Sequence, residues 1–150
     1  MPMADSSHQF MPGLRIPAAD LWVVAQTVWG EAEGEDFAGK LAVAQVIRNR
    51  HEIHPRWKTR SLAAICTAPW QFSCWNVGTS RRQKMLTMNL DAVAFCDSLL
   101  AATQVIGGVY YNAVGPSTHF YAVGTPEPTW AKGHVPYTTI GRHIFYVHIA

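Results

Sequence analysis

A chain of 150 residues that is 49% hydrophobic and 15% charged is long enough for one domain with its own core and too apolar to be disordered. Its formal net charge of +2 is too small to mark a nucleic-acid binder. No stretch reaches the ~20 apolar residues needed to cross a bilayer, so stable membrane insertion is not expected.

Residues 1–19 read as a flexible arm broken by Pro2, Pro12, Gly13 and Pro17, with neither signal-peptide nor transit-peptide character. The protein is therefore expected to be cytoplasmic when made, with a single domain over 20–150. Asp20 is the predicted N-cap of a first helix carrying Leu21, Val24, Ala25 and Val28, which Gly30 is expected to end. A second helix from Phe37 is apolar over a wide arc (Leu41, Val43, Val46, Ile47) and is expected to be the central buried one. Arg48-Asn49-Arg50 is predicted to bring it out to solvent as a basic end that complements the helix dipole. His51 to Arg60 reads as a solvated loop. Its two histidines have no further ligands at metal spacing, and no metal or cofactor is expected. Ser61 is placed to cap a short helix from Leu62 to Cys66. Arg81 to Lys84 reads as a solvated turn. A third long helix starts at Asn89 or Asp91 and ends at Gly107-Gly108.

The last third changes character. Val109-Tyr110-Tyr111, Thr118 to Ala122 and Ile140 to Ile149 are short and rich in aromatic and β-branched residues, which predicts a small antiparallel sheet or a pair of β-arms. The whole is thus an α+β chain with a mainly helical lobe. His119 and Tyr121 share a strand face, and the loop from Gly124 to Pro136 is a candidate wall for a cleft. Cys66, Cys74 and Cys96 cannot all pair internally and are read as reduced thiols, with a Cys66–Cys74 bridge as the alternative on export.

The joint between the first two helices carries the chemistry. It crowds Glu31, Glu33, Glu35 and Asp36 together around Gly34. Glu31 falls at a negative helix end, beside Trp29 and near like charges, and all three effects favour its protonated form. Glu35 and Asp36 fall at a positive helix end and are expected to stay ionised. Carboxyl groups driven apart in this way mark acid and base roles, which makes Glu31 the candidate general acid. The competing reading is that the cluster only caps and solubilises a turn. Further along, Ala68 to Asn76 mixes aromatics, amides and a hydroxyl, a composition suited to sugar rings and equally to core plugs.

Trp29-Gly30-Glu31-Ala32-Glu33-Gly34-Glu35, followed by a helix ending Val46-Ile47-Arg48-Asn49-Arg50, resembles the opening motif of the SleB/CwlJ-type cell-wall hydrolases. Ile65-Cys66 with Gln71-Phe72-Ser73-Cys74-Trp75 resembles their central segment. Ser117-Thr118-His119-Phe120-Tyr121, Pro128-Thr129-Trp130-Ala131 and Ile140-Gly141-Arg142-His143-Ile144-Phe145-Tyr146 resemble their closing elements, in order along the chain. The resemblance implies a lysozyme-like α+β fold acting on peptidoglycan glycan strands at the β-1,4 bond from N-acetylmuramic acid to N-acetylglucosamine. It makes Glu31 the catalytic acid and implies a lytic transglycosylase. A hydrolytic muramidase would need a second carboxylate, for which Glu35 is the candidate. Gln71, Ser73 and Asn76 are the expected sugar contacts, Phe72, Trp75, Tyr121 and Trp130 the ring platforms, and His119 an ordering residue. Glu33 stands where the family commonly has Arg, and Asn112 to Pro116 where Asp-Pro-Thr is frequent. A phage-type endolysin, monomeric and delivered by a holin, is the expected setting. Two other classes compete: a non-catalytic glycan-binding or virion module, and an amidase or peptidase using Cys74 and His119.

Overall fold

The computed structural model describes residues 12–109 and 111–150. Of the arm expected over 1–19, residues 1–11 lie outside the described residues, and the remainder is held in place. Leu14 N–H donates to Ile106 O, and the side chains of Leu14 and Ile16 pack on the helical core. Helix α1 (Ala18–Ala32) then starts one turn earlier than Asp20 suggests. Asp20 lies in its first turn, where the dipole still favours its charge, and Pro17 holds the cap position.

Gly30 does not end α1. The helix runs on through Glu31 to Ala32 with Gly30 buried inside it. A Cβ at this glycine would stand 2.5 Å from Met85 Sδ and 2.6 Å from Cys74 Cβ. The residue is there for close approach, a use that looks the same as a helix stop in sequence. A short turn then leads into α2 (Phe37–Ile53), with Asp36 in the cap position but making no side-chain cap bond.

Helix α2 is the central helix, as its wide apolar arc predicts. Val43, Ala44 and Ile47 meet Val24 and Val28 of α1 and Phe95, Ala102 and Val105 of α5 (Val93–Gly107) in one core cluster. Gly108, at φ 78°, closes α5 with a left-handed cap whose N–H returns to Gln104 O and Val105 O. Two short helices complete the lobe. In α3 (Leu62–Thr67), Ser61 Oγ accepts from Ala64 N–H as a cap. The basic run expected to be a turn is a helix, α4 (Ser80–Leu86), capped by Thr79 and anchored by buried Met85.

The end of α2 is the main correction to the sequence reading. Arg48, Asn49 and Arg50 do not emerge into solvent; all three are buried. They stay there because carbonyls from other segments converge on them. Arg48 donates to Val105 O at 2.7 Å and to Pro12 O, and pairs with Glu52 at 3.1 Å. Asn49 donates to Gly115 O and Ser117 O, each at 2.8 Å. Arg50 Nε donates to Thr118 O at 2.7 Å. Buried charge is tolerated only with such partners. The following segment is not a solvated loop either: His54 and Trp57 are buried, with His54 Nε2 against Ile149 O at 3.1 Å.

The sheet has β1 (His119–Ala122), β2 (Thr138–Ile140) and β3 (His143–Tyr146), antiparallel, with β3 central. The stretch expected as one strand from Ile140 to Ile149 is the β2–β3 hairpin, turned at Gly141 with φ 56°. Of the expected strand at 109–111, Tyr110 lies outside the described residues, and Val109 and Tyr111 are not in this sheet. Phe120 pairs with Phe145, and with Ile140 they pack against Ala42 and Val46 of α2. The other face carries His119, Tyr121, Ile144 and Tyr146 toward Trp130.

Replacing Gly30 by Ala should overpack this joint and destabilise the fold by about 1–3 kcal/mol. A chemical-denaturation midpoint equal to that of the parent would contradict the close-approach role.

Candidate active site

Glu31 occupies the last turn of α1, half-buried, with its side chain toward the 71–76 segment. Its Oε1 accepts a hydrogen bond from Cys74 N–H at 3.2 Å. Cys74 lies in a short 3-10 turn, Ser73–Trp75, that the absence of a side chain at Gly30 lets approach the helix. Arg50 and His143 both feel the Glu31 charge. Burial lowers the Arg50 guanidinium to about 10, so it remains a cation at neutral pH.

Glu35 is held more firmly. Its Oε1 accepts from Arg142 N–H at 2.9 Å, and its Oε2 would meet any Cβ added at Gly141 at 2.4 Å. His143 Nδ1 stands 3.7 Å from Glu35 Oε1, buried and without a hydrogen bond among the described residues. Burial holds the His143 imidazole below its ordinary range against the opposing pull of Glu35 and Glu31. Lys40, also buried, sends its ammonium to Glu33 O and Glu35 O and so fixes the path of the joint. Glu33 itself is exposed and pairs with Arg81 at 3.1 Å; Arg81 also donates to Gly30 O. The negative charge of Glu33 is thus met by a cation from α4.

The expected sugar contacts divide into two groups. Ser73 is exposed, and Trp75 and Asn76 line a groove of about 500 Å³ with Trp70 and Val77. Trp75 is anchored through Nε1 to Thr27 Oγ1 at 2.9 Å. Gln71 accepts weakly from Arg50 at 3.4 Å. Phe72 is a correction: it is only 2% exposed, closed in by the Arg50 guanidinium at 4.7 Å and by Phe120, so it is a core wall and no open platform. His119, Tyr121 and Trp130 form a separate aromatic cluster with Tyr146, in which Tyr121 stacks on Tyr146 at 5.9 Å. His119 is buried there, its Nδ1 at 3.0 Å from Thr118 Oγ1. Arg50 bridges the regions, lying over the rings of both Trp57 and Phe72.

The three cysteines are free thiols. Burial first, and then the Glu31 carboxylate, pushes the Cys74 thiol up, the reverse of what a nucleophile needs. A buried Cys74 thiol set against the Glu31 carboxylate, and a His119 whose Nδ1 is engaged with Thr118 Oγ1, disfavour the amidase reading. Among the described residues no cluster of acids, histidines and cysteines is disposed to hold a metal, and no helix is long and apolar enough to cross a membrane.

Sequence reasoning missed Arg50 and His143 as neighbours of Glu31. Each stands inside a motif, but Arg50 at the end of a helical run reads as solvent-facing, and no local pattern shows that His143, on a distant strand, returns to the joint.

Comparison with known proteins places this geometry in context. The family model described as cell wall hydrolase matches residues 34–146, beginning just after Glu31. The spore cortex-lytic enzymes of Bacillus subtilis (strain 168) and Halalkalibacterium halodurans are each 27% identical over 126 residues, 84% of this chain. The chain spans only 37% and 34% of their lengths. Among solved structures, the catalytic domain of the Bacillus cereus SleB protein superposes with a TM-score of 0.67 at 22% identity, over 89% of this chain and 94% of that one, a likeness of fold. The catalytic domain of the germination-specific lytic transglycosylase SleB from Bacillus anthracis gives a TM-score of 0.67 at 25% identity, over 87% and 95%. The α+β, lysozyme-like architecture expected from the motifs is the one observed.

The buried histidines impose a pH dependence on the fold. Burial, helped by the nearby Arg50 and His54 charges, lowers His119 from 6.5 to about 3, and burial lowers His54 and His143 as well. The unfolded chain therefore takes up protons that the folded one refuses. Stability should be full above pH 6.5 and fall as the pH drops from there toward 3. Urea midpoints measured across that window should decline in the parent and decline less in His119→Gln.

Proposed function

This chain belongs to the cell wall hydrolase family, and from that premise we propose that it is a peptidoglycan-cleaving glycosidase in which Glu31 is the general acid. The placement of Glu31 carries this reading. A carboxyl group on the last helical turn, half-buried and facing the 71–76 segment, is positioned on a rigid element and partly screened from water. The proposed substrate is the glycan strand, cleaved at the β-1,4 bond from N-acetylmuramic acid to N-acetylglucosamine.

In the proposed reaction Glu31 gives its proton to the bridging oxygen as the bond from that oxygen to the anomeric carbon breaks. The sugar passes through an oxocarbenium-like state. Its own 6-hydroxyl oxygen then bonds to the anomeric carbon, and the Glu31 carboxylate takes that hydroxyl's proton. The products are a 1,6-anhydro end and a free 4-hydroxyl, and the acid is regenerated. Arg50, charged and buried nearby, supplies a fixed positive field when Glu31 is anionic.

The state of Glu35 favours this transglycosylase route over hydrolysis. One oxygen accepts from Arg142 N–H and the other abuts Gly141, so Glu35 holds the β2–β3 turn against the α1–α2 joint. A muramidase would need that carboxylate to hold water or attack directly. The similarity to a domain named as a lytic transglycosylase supports the same choice.

Glu31→Gln should keep the fold and lower soluble muropeptide release from purified sacculi by at least ~100-fold. Near-parent release would refute the acid assignment. Glu35→Gln should cost less, and mass spectrometry should still find 1,6-anhydro ends; a shift to reducing ends, or reducing ends from the parent, would favour the muramidase.

A further inference from the structure

Trp70 combines two features that a folded chain seldom keeps together. Its side chain is 85% exposed, and its backbone sits at φ 63°. That left-handed region is strained for a bulky residue. Core packing does not explain the position, because the indole stands in water. Strain of this kind is characteristically kept where a side chain is used.

The indole borders the groove of about 500 Å³ shared with Trp75, Asn76, Val77 and Thr79. Small-ligand clefts of this sort run from roughly 300 to 1,000 Å³, mostly apolar with a few polar groups that orient the ligand. The polar groups here are unequal. The Thr67 hydroxyl donates to Ala63 O and the Thr79 hydroxyl to Asn76 O. The Asn76 carboxamide makes no hydrogen bond among the described residues, so both its donor and its acceptor are open. An exposed flat ring beside an open amide matches an N-acetylhexosamine. The C–H face of the pyranose can lie on the indole, and the acetamido group can exchange hydrogen bonds with the carboxamide. The groove also adjoins the acid: Trp75 and Asn76 directly follow Cys74, whose N–H binds Glu31.

We infer that this groove is a glycan subsite, in which Trp70 stacks on one N-acetylhexosamine of the strand and Asn76 holds its acetamido group, outside the sugar whose bond is cleaved. The inference deepens the peptidoglycan reading above and rests on it for the class of ligand.

Calorimetric binding of soluble glycan strands stripped of stem peptides tests it. Trp70→Gly, which suits the backbone, should weaken binding about tenfold. Its melting temperature should equal or exceed that of the parent. Trp70→Tyr should retain most of the affinity, and Asn76→Ala should weaken it. In turnover assays Trp70→Gly should raise KM more than it lowers kcat. Unchanged strand affinity in folded Trp70→Gly overturns the subsite. That result is independent of the fate of Glu31, since binding does not require turnover; loss of cleavage in Glu31→Gln is read separately, from product release.

Discussion

Cys74 N–H reaches the Glu31 carboxylate only because no side chain stands at Gly30. That close approach is the constraint around which the helical lobe is arranged. It lets a loop from the middle of the chain lie directly against a helical turn, and it places a hydrogen-bond donor where water would otherwise solvate the acid. Met85 of α4 presses on the same point, so a second short helix depends on the missing Cβ. A larger residue would separate these pieces and remove the surroundings that make Glu31 more than a surface carboxylate.

The β region is fixed to this lobe by polar contacts as much as by apolar ones. Asn49 and Arg50 bind the carbonyls just before β1, and Glu35 binds the turn between β2 and β3. Phe120 and Phe145 fill the space against α2. A buried arginine or asparagine contributes little unless every donor is met, but it specifies register because only one arrangement meets them all. The outcome is an acid on one helix and a histidine on a distant strand held within electrostatic reach of each other.

How legible this was depends on whether a residue's role is local. The central helix, the Ser61 cap, the Gly108 stop and the division into helical lobe and small sheet follow from periodicity and turn chemistry, and the structure has them. Glu31 stands out in the sequence twice, from its place at a helix end and from its motif, and the structure sets it half-buried against residue 74. Gly30 was misread because a helix stop and a close-packing glycine have the same letter; only the position of residues 74 and 85 tells them apart. Arg48 to Arg50 were misread because the carbonyls that receive them come from segments near 12, 105 and 115–118, and no local pattern announces such partners. Phe72 was taken for a platform because composition cannot say which face of a ring is covered.

The thiols carry one further consequence. Cys66 is pushed up to about 12 by burial, and Cys74 is raised as well. Sulfur exchanges and oxidises through its anionic form, so at neutral pH these two side chains are chemically quiet. The joint beside Glu31 is accordingly no starting point for thiol exchange, although a sulfur lies in its wall.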